Sequence, residues 1–208
     1  TVAANQNSRN LGRYVSVVSF ATGAALKQGW VDVSNADNYQ TVLNTIKALK
    51  ADGGTNLDAG LTYAEYLLKQ TTVNDAVKNV IALTDGQPTF FIDTNEKAYN
   101  DDGLKGLNKK FLTINNTKYR VHGTGNSCNA KTFTETVASA DTVKNRAKLY
   151  TVCFDADETI GVPNSEKQIT VSEYLSTKIA TQSTKAQFAY DASNAEQLYA
   201  EFAKITQS

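Results

Sequence analysis

Absences narrow this sequence before any motif does. It has no Met, one His, one Trp, two Pro and two Cys. A lone histidine, His122, excludes a Cys/His zinc cluster. A Ser-His-Asp triad would have to use that same residue, and no Gly-x-Ser-x-Gly elbow offers it a nucleophile. His122 is therefore expected on the surface. No Gly-x-x-x-x-Gly-Lys phosphate loop occurs; Gly53-Gly54 precedes a helix but lacks the required Lys. Charge of one sign is missing too. The 21 basic and 21 acidic residues cancel, which removes the electrostatic case for nucleic acid or an anionic membrane. No apolar run approaches the ~20 residues that span a bilayer. No signal-peptide pattern heads the chain, and a start at Thr1 without any Met implies that Thr1 is not the gene's first residue. With many Asn and Thr besides, the composition points to a secreted or cell-surface module rather than a cytosolic enzyme.

What is present fits one domain of 208 residues, long enough to bury a full core. Its anchor is Lys78-Asn79-Val80-Ile81-Ala82-Leu83-Thr84-Asp85-Gly86-Gln87-Pro88-Thr89. The apolar run Val80 to Leu83 ends abruptly at Asp-Gly and Pro. Its length and punctuation predict a strand buried on both faces, as in a parallel sheet. Asp85 then stands at the strand's carboxyl end, where open α/β sheets place their ligands.

Around the anchor, strand and helix patterns alternate. Residues 1–12 read as the tail of a helix running into a turn. Residues 14–20 (Tyr-Val-Ser-Val-Val-Ser-Phe) form a β-branched and aromatic strand, with residues 25–33 returning through a Thr22-Gly23 turn. Val42, Leu43, Ile46 and Leu49 recur at helical spacing over residues 37–50. Thr55 with Asp58 predicts a capping box for a helix that aligns Leu57, Leu61, Ala64 and Leu68. The anchor strand follows Asn74-Asp75. Residues 89–131 are an irregular insertion, long enough to be functional or disordered. Its aromatics Tyr99, Phe111 and Tyr119 are expected to pack it down. Its sequon Asn115-Asn116-Thr117 matters only in a eukaryotic secretory route. A helix (133–146), a strand (147–154), a short helix (171–180) with Leu175 and Ile179 inward, and a strand (185–190) come next. Ser193 to Glu196 then cap a closing helix aligned on Leu198, Phe202 and Ile205. The alternation predicts an α/β fold with a doubly wound, mostly parallel sheet flanked by helices.

Gly53-Gly54-Thr55-Asn56-Leu57 followed about thirty residues later by Val80-Ile81-Ala82-Leu83-Thr84-Asp85-Gly86 resembles the von Willebrand factor A domain. The likeness runs on through Leu149-Tyr150-Thr151-Val152-Cys153-Phe154-Asp155 and the segment 191–205, so residues 1–208 read as the larger part of one such domain. The resemblance implies a metal-ion-dependent adhesion site. There three loops hold a divalent ion, usually Mg²⁺ (or Mn²⁺ or Ca²⁺), and a protein ligand's carboxylate completes the shell. Thr55 matches the second loop's hydroxyl and Asp85 the third loop's carboxylate, with Asn56 and Gln87 expected on the rim. The function so implied is adhesion to an extracellular host or matrix protein, with no bond made or broken. A metal-independent scaffold for assembly is the alternative.

The first loop of the family, Asp-x-Ser-x-Ser after the central strand, has no counterpart ahead of Tyr14. Asp32-Val33-Ser34-Asn35-Ala36 lies after the second strand and reads as a connection into the next helix. The opening strand, helix and first metal loop are thus expected upstream of this chain or on another one. The Asp-Gly-Gln-Pro-Thr loop followed by a long insertion also resembles the A domain of Gram-positive pilus-tip adhesins, which implies a bacterial cell wall or pilus. Two readings of the cysteines stay open: a Cys128–Cys153 disulfide tying insertion to strand, or a free loop thiol and a buried core cysteine.

Overall fold

The computed structural model describes residues 12–71, 76–94 and 111–207. The helix tail expected over residues 1–12 lies, but for Gly12, outside them, as do Asn74-Asp75 and Tyr99. The strand Tyr14–Phe20 (β1) turns at Thr22-Gly23 and pairs antiparallel with Ala24–Asp32 (β2). Asn35 then caps the helix Ala36–Lys47 (α1), its side chain accepting from the backbone N–H groups of Asp37 and Asn38. The Asp32-to-Ala36 string is the connection its composition suggests. Of the apolar face predicted for this helix only Val42 is buried.

The helix Leu57–Gln70 (α2) starts one residue later than a Thr55 cap would place it. Its cap is Asn56, whose side chain accepts from Ala59 N–H at 3.0 Å. No Thr55/Asp58 capping box forms, because Asp58 turns inward. α2 also buries two faces rather than one. Leu57, Leu61 and Leu68 enter the main core, while Ala59 packs on the insertion with Tyr63 and Tyr66 beside it.

The parallel sheet comprises Asn79–Thr84 (β3), then after the insertion Lys148–Phe154 (β7), and finally Ala189–Ala192 (β10), in the order β3-β7-β10. Register sets the layers. Ala82, Leu149 and Cys153 face a core shared with α2 and with Ala130–Lys144 (α3), where Phe133, Ala140 and Val143 meet them. Tyr150, Val152 and Tyr190 face the closing helix Ala195–Gln207 (α5) through Ile205, Leu198 and Phe202. The anchor strand departs from expectation here. It is buried on one face only, Ile81 and Leu83 remaining 38% and 41% exposed on the α5 side. Nor does β3 pair with β1; the hairpin β1-β2 stands as a separate sheet.

The described parts of the insertion are not irregular. Phe90–Asp93 (β4), Phe111–Ile114 (β5) and Thr117–Gly123 (β6) form an antiparallel sheet in the order β4-β6-β5. Asn115 and Asn116, both at positive φ (48° and 61°), make the two-residue β5–β6 turn, a conformation that Asn tolerates and that suits hairpin twist. His122 is buried here, contrary to the surface position expected, its ring stacked on Phe91 at 5.0 Å. Tyr119 packs on the insertion's core as expected. Phe111 does not pack down; it stays 42% exposed beneath the Lys118 ammonium, 4.0 Å from its ring centre. The helix α3 begins earlier than its apolar spacing indicated, at a capping box built by Asn129 and Thr132. Past β7 come two elements without a clear sequence signal: a small hairpin, Thr159–Gly161 (β8) with Gln168–Thr170 (β9), and a change of helix type. The helix Val171–Tyr174 (α4) widens into a π-type turn over Leu175–Ile179, with Leu175 and Ile179 inward as predicted.

Asp58 joins three of these elements. Its carboxylate accepts from Ile92 N–H of β4 at 2.8 Å and from the Ser139 hydroxyl of α3. Burial pushes the carboxyl up from 3.8 to about 6, against the opposing pull of those two hydrogen bonds. The fold therefore holds the Asp58 proton more tightly than the unfolded chain does. That contribution to stability is complete below about pH 4 and is lost as pH rises through about 6, worth at most ~3 kcal/mol. Asp58→Asn keeps a neutral partner between Ile92 and Ser139. The wild-type melting curve, relative to this variant, should lose stability between pH 4 and 7; identical pH slopes would remove Asp58 from the account.

Candidate functional site

The turn before α2 is built for close approach. Gly53 has φ +84°, and a Cβ on Gly54 would come within 2.5 Å of the Phe90 ring and 2.7 Å of Thr89 Oγ1. That proximity lets the next residue clamp on. Thr55 N–H donates to Thr89 Oγ1 at 2.9 Å, and Thr55 C=O accepts from the N–H groups of Thr89 and Phe90 at 2.8 and 3.1 Å. The loop leaving β3 is thereby bound to the N-terminus of α2.

Asp85 lies exposed at the end of β3, and Gly86 turns the chain beside Thr55. A Cβ on Gly86 would stand 3.9 Å from Thr55 Oγ1 and 3.8 Å from Glu158 Oε2. A hydroxyl and a carboxylate thus each come close to Gly86, the residue after Asp85. Glu158 also accepts from Gln87 N–H at 3.3 Å, holding the β7–β8 loop against the β3 loop. Sequence reading passed over Glu158, although Asp155-Ala156-Asp157-Glu158 directly follows a strand and so marks a carboxyl end.

The two rim residues behave differently from expectation. Asn56 is fully buried and its polar groups are spent: N–H to Ala21 C=O at 2.7 Å, Nδ2 to Thr22 C=O at 2.8 Å, Oδ1 to the helix cap. It is a joint, not a rim contact. Gln87 is half-buried, and its Oε1 accepts from Cys128 N–H at 2.6 Å, which fixes the loop ahead of α3.

Both cysteines are free, so the structure takes the second of the two readings. Cys128 accepts from the Thr132 hydroxyl at 3.4 Å, and burial pushes its thiol up. Cys153 is pushed up to about 11, first by burial and then by the charges of Asp191, Asp157 and Asp85. Those shifts place several carboxylates around the same end of the sheet. They are hard oxygen donors, as is the Thr55 hydroxyl, and hard donors suit Mg²⁺ or Ca²⁺ rather than a soft metal. Among the described residues, though, no three His, Cys, Asp or Glu side chains are grouped so as to hold an ion. The donor set fits such a cation and is incomplete.

The family model for the von Willebrand factor type A domain matches residues 2–87, a span holding both Thr55 and Asp85. The chain has the von Willebrand A-type fold. Solved structures agree. The pilus adhesin SpaC from Lactobacillus rhamnosus GG superposes with TM-score 0.65 at 17% identity, over 93% of this chain and 24% of that one. A point mutant of the PilB minor pilin from Streptococcus sanguinis gives TM-score 0.65 at 20% identity, over 93% of this chain and 48% of that one. The chain therefore spans about a quarter of the first of these proteins and about half of the second. No curated protein is significantly similar to it in sequence. Within the A-type fold, Thr55, Asp85 and Glu158 all lie at the carboxyl end of the parallel sheet.

The free thiols give a direct check on the core around that end. In denaturant without reductant, two thiols per chain should react with a chromogenic disulfide; in the native state the buried Cys153 thiol should react at least about tenfold more slowly than an exposed cysteine. A count of zero under denaturing conditions would mean the pair is bridged.

Proposed function

We propose that this A-type domain is a cell-surface adhesion or assembly module of a bacterial cell wall or pilus. It takes a carboxylate of an extracellular protein ligand through a divalent cation at the carboxyl end of its sheet. The observation that carries this reading is the approach of Thr55 Oγ1 and Glu158 Oε2 to Gly86, beside the exposed Asp85. Thr55 and Asp85 would hold the cation, as the family resemblance implies. When bound, Mg²⁺, or Mn²⁺ or Ca²⁺ in its place, supplies coordination positions that a ligand's Asp or Glu can take from water. The chain's own part is preorganisation. The Thr55 backbone is pinned by Thr89 and Phe90, the β3 loop by Glu158, and the α3 approach by Gln87. Similarity to SpaC and PilB supports placing the module in a pilus.

A second reading, a metal-independent scaffold for assembly, is favoured by one observation: the donor set is incomplete among the described residues. In the adhesion reading the remaining oxygens are supplied by polypeptide other than the described residues. Calorimetry with Mg²⁺ and Mn²⁺ separates the two. Binding should appear in a protein extended upstream by its natural sequence, weaken at least about tenfold (about 1.4 kcal/mol) on Asp85→Ala or Thr55→Ala, and vanish in EDTA. Absence of binding in the extended protein would leave the scaffold reading.

A further inference from the structure

A pocket of about 500 Å³ lies beside the turn that leads to Thr55. The β1–β2 turn forms one wall with Thr22 and Gly23, the insertion forms another with Leu112 and Val121, and Asp52 and Gly53 complete the lining. The first two walls meet at the base, where Leu112 Cδ1 comes within 3.9 Å of the place a Gly23 Cβ would take.

Among the described residues Asp52 is the one charged group of this lining. It is exposed, and no described residue pairs with its carboxylate. The cations of β6 belong to the other face of the insertion sheet. Leu112, Ile114, Tyr119 and Val121 turn toward the core shared with α2. Alternation along the strands therefore sends Phe111, Lys118 and Arg120 to the opposite side. There the Lys118 and Arg120 heads stand over the Phe111 ring, 4.0 and 5.7 Å from its centre.

A lone carboxylate next to aliphatic walls selects among guests. An acidic side chain would meet the like charge of Asp52. A wholly apolar one would lay hydrocarbon against that carboxylate and strip its water without a partner. Lysine and arginine satisfy both parts, since their methylene stems cover apolar surface while the charged head stays at a polar edge.

We propose that this pocket takes a lysine or arginine side chain of an extracellular protein ligand, with its head on Asp52 and its stem along Leu112 and Val121. The pocket and the candidate cation site share one turn. Gly53 and Thr55 are two residues apart, which keeps their Cα atoms within about 7 Å. Ala21, also in the lining, accepts from Asn56 N–H at 2.7 Å. A ligand with its Asp or Glu on the cation can thus reach the pocket from a residue within about three positions. Selection of ligands that pair a basic with an acidic residue rests on the adhesion reading above; the pocket's own preference does not.

The test is made in EDTA, so that failure of the cation site leaves its outcome untouched. Nitrogen-15-labelled protein is titrated with Nα-acetyl-lysine amide to about 50 mM and followed by NMR. Amide signals of Thr22, Gly23, Gly53 and Leu112 should shift and saturate. Nα-acetyl-norleucine amide, which has the stem without the ammonium, should bind at least about threefold more weakly. Asp52→Asn, which keeps the side chain's shape, should weaken the lysine probe by a similar factor. Its remaining signals, unchanged from wild type, report that the fold is kept. A lysine probe that leaves these amides unmoved would overturn the proposal. So would equal binding of the norleucine probe, tighter binding of Nα-acetyl-glutamate amide, or an Asp52→Asn protein that binds lysine as wild type does.

Discussion

The N-terminus of α2 is the joint on which this molecule depends. Among the described residues no ladder connects the β1-β2 hairpin to the parallel sheet, and Asn56 and Thr55 tie both to the start of α2. Asn56 holds the hairpin turn through Ala21 and Thr22, and Thr55 holds the loop after β3 through Thr89 and Phe90. Adjacent residues thus face in opposite directions and stitch two sheets together. Each bond is worth about 1 kcal/mol net, but leaving the buried Asn56 amide unpaired would cost about 1–3 kcal/mol. Gly54 makes the approach possible, since any side chain there would meet Phe90.

That joint also explains why a candidate site arises here. A helix start leaves N–H groups unpaired, and the carboxyl ends of parallel strands leave loops free to vary. Clamping one to the other brings Thr55 beside the Asp85-Gly86 turn, and Glu158 closes in from the next strand. Rigidity comes from neighbouring backbone rather than from the oxygens themselves, which stay available. Below the joint, Asp58 repeats the device at depth, tying α2 to α3 and to the base of the insertion through one carboxylate. The site and the insertion are therefore carried by the same helix, on its two buried faces.

Much of this was legible in one dimension. The period-two run at residues 14–20, the Thr22-Gly23 turn, the helical spacing of Leu57, Leu61 and Leu68 and the Asp-Gly stop after Leu83 each follow from local chemistry. What failed did so for physical reasons. The antiparallel sheet of the insertion hides behind two strands of only four residues and an Asn-Asn turn without glycine. His122 is buried because its partner strand supplies Phe91 as a stacking surface, information that no local window holds.

By itself the sequence determined the alternation of elements, the special backbone positions at Gly53, Gly54 and Asp85-Gly86, and the oxygen character of the candidate donors. These depend on residues near one another in the chain. Only the tertiary structure decided which side of each residue is spent. It gave Asn56 to the joint and Gln87 to Cys128, left both thiols unbridged, and brought Glu158 across to the Gly86-Gln87 turn. The physical reason is that a side chain's partners across 30 to 100 residues are chosen by packing and hydrogen-bond geometry, which composition and spacing do not encode.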